Sequence, residues 1–256
     1  MVERSPSVER PPGRRADHPD RSTPAMKVEI YSDIACPWCY VGKRRFEQAL
    51  GQFEGKDGVE VVYRPYQLVP DAPEQARPHR EWLAERYGPQ SLAMDARITE
   101  VGRSVGIDYD FEAALEVNTL RAHRLLHLAE TEYGAAVQAA LKERLLRAHF
   151  SEGVDVGDTE ALVGLAAETG IDRERAAAYL AGNEGEAETL AALAEARAIG
   201  VTAVPTFVFE GKWAVQGGQE AETFLQVLRQ VEAETAGRIT PVAPPAATCE
   251  DGTCAV

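Results

Sequence analysis

Two cysteines separated by Pro37 and Trp38 stand between a short alternating run, Lys27-Val28-Glu29-Ile30-Tyr31, and an amphipathic stretch that ends near Leu50 and Gly51. The alternating run reads as a strand, the later spacing as a helix, and Ser32 to Ala35 as the turn between them. Cys36 then falls at the N-cap and Pro37 at the first helical position. Proline's fixed φ suits that position, and its missing N–H removes a donor that would have no partner. A helix starting at a thiol directs its unpaired N–H groups and positive dipole end towards that sulfur, which favours thiolate over thiol. Cys36 is therefore the expected nucleophile. Cys39 falls at N3, where side chains meet those of the N-cap, and can resolve a mixed disulfide formed on Cys36. Such an exchange needs no metal and no organic cofactor.

The strand and helix are the start of a longer α/β pattern. A second strand, Val59 to Tyr66, follows a Gly- and Asp-bearing loop and completes a βαβ unit whose strands should be parallel. From Tyr66 to Ala203 strand signals are sparse, and Ala, Leu, Glu and Arg recur at helical spacing, as at Leu115, Leu120, Leu125, Leu126 and Leu128. Asp158 and Asp172 read as helix starts, Gly170 and Gly182 as stops, and Asn183 with Glu186 as a capping box. Trp82, Tyr87 and the Leu-rich stripes are expected in the core, and the Glu- and Arg-bearing helix faces in solvent. The α/β pattern resumes with Thr206 to Phe209, a turn at Gly211, Trp213 to Gln216, and a helix over residues 221–234.

The expected organisation is a disordered leader over 1–25, an α/β domain from 26–66 and 203–236, a helical insertion over 67–202, and a flexible tail over 237–256. That tail carries Cys249 and Cys254 around an Asp-Gly turn. The first 25 residues contain five Arg and five Pro but no apolar run, so no secretory signal is expected, and Met26 could be the start. No stretch approaches the roughly 20 apolar residues that cross a bilayer as a helix. A net charge of −14 repels phosphate backbones and anionic lipid, which argues against nucleic-acid or membrane partners. These readings point to the cytoplasm, where cysteines serve catalysis, redox sensing or metal binding rather than structure. The competing use of the four cysteines is a structural zinc site, Cys36 and Cys39 forming one half and Cys249 and Cys254 the other. A zinc half-site needs a flexible knuckle, whereas Pro37 locks this one onto a helix.

The run Tyr31-Ser32-Asp33-Ile34-Ala35-Cys36-Pro37-Trp38-Cys39-Tyr40-Val41-Gly42 resembles the DsbA family, in particular its cytoplasmic FrnE-like branch. So do Asn118-Thr119 with Ala122-His123, and Val204-Pro205-Thr206-Phe207-Val208. The resemblance implies a thioredoxin fold with a large all-helical insertion between the βαβ unit and the C-terminal ββα unit. It also implies thiol-disulfide exchange on protein disulfides or thiols, with a low-molecular-weight thiol as a further partner. Pro205 corresponds to a cis-proline packed beside the CxxC, which exposes the preceding backbone, at Val204, to a substrate chain alongside Pro37 and Trp38. Asn118 and His123 would line the groove facing the active site, and Asp33 could assist proton transfer to Cys39. The exported oxidases usually carry Pro-His between their cysteines. Trp38 supplies no imidazole here, so a more reducing couple is expected. Members of the branch have a similar C-terminal cysteine pair, and a tail spanning on the order of 20 Å could bring Cys249 and Cys254 to the first pair as a relay. The alternative activity is that of relatives acting on small molecules, glutathione-dependent or polyketide-tailoring isomerases. Those relatives commonly have Ser where this chain has Cys36.

Overall fold

A computed structural model describes residues 26–236, so the leader and the tail with Cys249 and Cys254 lie outside the described residues. Strand β1 (Met26–Ser32) pairs parallel with β2 (Val59–Pro65) across α1 (Pro37–Gln52), and antiparallel with β5 (Thr206–Phe209). β5 turns through Glu210 and Gly211, both at positive φ, into the antiparallel β6 (Trp213–Gln216). The sheet order is therefore β2-β1-β5-β6. Period-two alternation sends Val28, Ile30, Phe207 and Phe209 to one face, where α1 supplies Phe46 and α9 (Ala221–Ala236) supplies Phe224. The phenylalanine rings pack together there, Phe46 lying 5.3 Å from Phe207 and 5.6 Å from Phe224. Tyr31 and Val208 point to the other face, against Ala196 and Val201. This is the thioredoxin arrangement, with its βαβ and ββα units separated by a long helical stretch.

That stretch contains α2 (His79–Tyr87), α3 (Ser91–Ser104), α4 (Leu120–Leu128), α5 (Ala135–Ser151), α6 (Thr159–Glu168), α7 (Arg173–Ala181) and α8 (Glu186–Ala198). Asp158 and Asp172 cap α6 and α7, their carboxylates accepting from the Ala161 and Arg175 amides at 2.8 and 2.7 Å. Three expectations are corrected. Leu115 belongs to no helix: β3 (Arg77–Pro78) and β4 (Leu115–Glu116) form a two-residue ribbon. Asn183 does not cap α8; Gly185 takes that position, at φ 69°, where an added Cβ would collide with the Tyr179 hydroxyl. Tyr87 is 40% exposed, because His79 and Leu83 take the inward positions of α2.

His79 ties this ribbon to α3. Its Nδ1 lies 2.6 Å from Glu116, its Nε2 3.2 Å from Asp95, and its ring stacks on Phe111 at 4.8 Å. Burial alone would lower its pKa, but the two carboxylates raise it to about 9 from 6.5. A raised folded-state value stabilises fully below pH 6.5, and that contribution is lost as pH rises through about 9. His79→Leu strands two buried carboxylates and is expected to destabilise the fold by about 3 kcal/mol at pH 6, and by less at pH 10. Urea denaturation at both pH values checks it; an equal loss at the two would contradict the ion-pair account.

Candidate active site

Cys36 takes the N-cap of α1 at φ −100°, ψ 109°, and Pro37 opens the first turn. Its sulfur receives no cap hydrogen bond from the first-turn amides, unlike the geometry suggested by the sequence. The thiol instead donates to the Val204 carbonyl at 3.6 Å, across 168 residues of chain. Cys36 and Cys39 are both free thiols and both buried, and the Cys39 amide donates to the Cys36 carbonyl at 3.0 Å. Burial pushes the Cys39 thiol well up, and the neighbouring Cys36 pushes it further. The charge of Lys142 acts in the opposite direction.

The cysteine helix and the Pro205 loop meet along a seam of glycines. The Val204–Pro205 peptide is cis. A Cβ on Gly42, one turn beyond Cys39, would lie 2.8 Å from the Pro205 ring, and one on Gly218 would lie 3.3 Å from the Trp38 carbonyl. Only two residues without side chains allow α1 to lie this close to the loop. Pro205 is buried and Val204 half-buried, as are Pro37 and Trp38. Trp38 packs against an aromatic cluster containing Tyr109, whose hydroxyl donates to the Pro37 carbonyl at 2.6 Å. Burial pushes that hydroxyl's pKa far above its ordinary value.

Beneath the first turn, Asp33 is the hub of a buried polar cluster. Its Oδ2 accepts from the Leu68 amide at 2.8 Å, and its Oδ1 from the Thr119 hydroxyl at 2.9 Å and His123 Nε2 at 3.2 Å. Burial alone would raise the carboxyl; His123, the Leu68 amide and Thr119 hold it below 3.8. Burial pushes His123 below 6.5, so a neutral imidazole donates to a carboxylate. Asn118 sits above Thr119 with both ends of its amide engaged. Oδ1 accepts from Gln67 and the Leu120 amide at 3.0 and 2.9 Å, and Nδ2 donates to the Pro70 carbonyl at 3.0 Å. His123 is 2% exposed. His123 thus lies inside the protein against Asp33, while half-buried Asn118 ties the segment of Gln67 and Pro70 to the start of α4.

Tyr109, Gly218 and Lys142 belong to this neighbourhood although nothing local in the sequence marks them, whereas Thr119 falls in a run that carries the family resemblance. Gly42 also carries a local signal, as a glycine one turn past the CxxC in the interior of a helix. Among the described residues no group of three or more His, Cys, Asp or Glu is placed to hold a metal ion, and no helix is long and apolar enough to cross a membrane.

A family model described as DSBA-like thioredoxin domain matches residues 27–229. The chain is 38% identical to a probable DsbA oxidoreductase, SCO1869 of Streptomyces coelicolor, whose crystal structure superposes with a TM-score of 0.76 over 90% of this chain and 99% of that one. It is 30% identical to the uncharacterized protein YwbO of Bacillus subtilis, over 78% of this chain and 94% of YwbO. At 21% identity, with a TM-score of 0.55 over 80% of this chain and 97% of the other, it shares its fold with the cytosolic disulfide reductase DsbM of Pseudomonas aeruginosa.

Proposed function

The chain belongs to the DSBA-like thioredoxin domain family, and from that premise we propose that it is a cytoplasmic enzyme that reduces or rearranges disulfides in protein substrates through Cys36 and Cys39. The observation that carries this reading is the placement of two free thiols in the first turn of α1, with the Cys36 sulfur against the carbonyl that precedes Pro205. The Cys36 thiolate attacks a substrate disulfide, one substrate sulfur leaves, and the other stays bonded to Cys36. Cys39 then attacks Cys36, its sulfur replaces the substrate sulfur, and the second substrate thiol is released. The substrate backbone lies along Val204 and Pro205 with Pro37 and Trp38 on its flank, displacing the Cys36 contact to the Val204 carbonyl. Asn118 and His123 support this surface from beneath, and Cys249 and Cys254 act as a relay that reoxidises or reduces the first pair together with a low-molecular-weight thiol. The cytosolic reductase that shares the fold supports the compartment and the reducing direction.

The test is covalent. Cys39→Ser, expressed in cells, is expected to accumulate protein adducts on Cys36 that dithiothreitol releases and mass spectrometry identifies. The wild-type pair is expected to equilibrate well below the roughly −120 mV of the strongly oxidising exported members. Adducts of a single small thiol alone would shift the assignment to small-molecule chemistry.

A further inference from the structure

Helix α5 is fastened on both sides of the site. Gln138 pairs with the Tyr63 backbone of β2 as another strand would, accepting from its N–H at 2.8 Å and donating to its carbonyl at 2.9 Å. Five residues on, Glu143 accepts from Tyr40, Lys43 and Arg44 of α1 at 2.8, 2.7 and 2.6 Å. Between these anchors Lys142 is carried into the interior. It is 1% exposed, and its Nζ has no hydrogen-bond partner among the described residues. The Tyr63 ring, 6.0 Å away, is its only cation–π neighbour among them.

An ammonium buried without a carboxylate is destabilising, and a chain that keeps one needs a compensating use for it. The surroundings of Lys142 suggest that use. It lines one cavity with His123, whose ring donates to Asp33 at 3.2 Å, and the charges that bear on it are those of Cys39, Cys36 and the like-charged Lys43 of α1 and of Asp33 in the turn before it. Burial pushes Lys142 down to about 8, and ionised Cys39 acts on it most strongly in the opposite sense, ahead of Asp33 and Cys36. The cavity that Lys142 and His123 line is about 30 Å³ and reaches the half-buried Arg64, His127 and Glu130. That volume holds about two waters, enough for a proton path to the surface.

We propose that Lys142 is the proton store of the cysteine pair, taking the Cys39 proton when Cys39 attacks the mixed disulfide on Cys36 and releasing it along this cavity. The inference rests on the exchange chemistry proposed above. The step balances as follows. The Cys39 S–H bond breaks and its proton passes to the neutral Nζ through a bridging water. The freed sulfur pair forms the Cys39–Cys36 bond, and the pair of the Cys36–substrate bond leaves on the substrate sulfur. Two cysteine sulfurs are oxidised, the substrate disulfide is reduced, and the ammonium returns its proton to solvent. A base titrating near the working pH is suited to this task, whereas Cys39 alone is held as a thiol by its burial. Lys142 acts on the reacting sulfur through water, so it is a positioning residue.

The test uses the full chain and an aromatic disulfide that releases a coloured thiolate. Attack by Cys36 releases one equivalent, and resolution by Cys39 a second. In the wild type the second phase is expected to accelerate with pH and level off above about pH 8. In Lys142→Met it is expected to be at least about tenfold slower at pH 7 and to keep rising through pH 9, while thermal stability increases because an unpaired charge has left the core. Lys142→Arg, which retains charge but cannot accept the proton, should be slow as well. An NMR titration of the wild-type Lys142 side chain, independent of any variant, should show a lower midpoint in the oxidised protein than in the reduced one. Variants with the wild-type second-phase profile, or a midpoint insensitive to oxidation, overturn the role of Lys142 and leave the exchange chemistry standing. Release of a single equivalent by the wild type overturns both.

Discussion

Cys36→Ser is expected to lose insulin-disulfide reduction by roughly three orders of magnitude or more, because a serine hydroxyl is not ionised at neutral pH and cannot form the mixed disulfide. Among the described residues the hydrogen bond of this side chain goes to the Val204 carbonyl, which can only accept. The substitution should leave the fold intact, since the position is an N-cap and serine suits an N-cap well. Circular dichroism should therefore overlay the wild type while turnover vanishes. Retained insulin reduction would mean that the chemistry lies elsewhere in the chain and that the assignment of Cys36 is wrong.

Asp33→Ala should destabilise the protein by about 3–5 kcal/mol at pH 7, since it leaves the Leu68 amide, the Thr119 hydroxyl and His123 Nε2 buried without their common acceptor. The pH dependence has a definite sign. Asp33 titrates below 3.8 in the fold, so its contribution is present above that value and lost as pH falls through the folded-state value. His123 is also depressed, so the unfolded chain binds a proton near 6.5 that the native state refuses, and stability begins to fall below that pH in any variant retaining a neutral, buried His123. The gap between wild type and Asp33→Ala should therefore be wide at pH 7 and narrow below pH 3.8. Guanidinium titrations across that range measure it, and a loss under about 1 kcal/mol at pH 7 would show the cluster to be incidental.

The sheet strands and α1 were legible because their signals are local. β5 and β6 begin and end where alternation meets turn residues, and α1 begins where proline follows a cysteine. Asp158 and Asp172 announced their helices because an N-cap carboxylate reaches amides only two or three residues away. Asn183 offered the same signal and lost, since Tyr179 packs so closely at Gly185 that only a residue without a Cβ fits there. The site was legible where its chemistry is carried by neighbours in sequence, Cys36 with Cys39, and opaque where it is assembled across the chain. Lys142-Glu143-Arg144 reads as the solvated face of a helix. Lys142 is nonetheless buried, because Gln138 and Glu143 attach α5 to two different elements, and no window of sequence contains both attachments. The five-residue π-helical turn at Ala129–Tyr133 that redirects the chain into α5 has no sequence mark either.

The contact between Cys36 and Val204, with the glycine seam behind it, has a consequence for biogenesis. Synthesis from the N-terminus delivers both thiols early, yet the carbonyl and proline that cover them arrive 168 residues later. At translation rates of about 5–20 residues per second the cysteine helix waits on the order of ten seconds or longer before its cover exists. Throughout that interval the thiols stand open to any disulfide in the surroundings, so premature oxidation is a hazard of the nascent chain that the finished fold no longer faces.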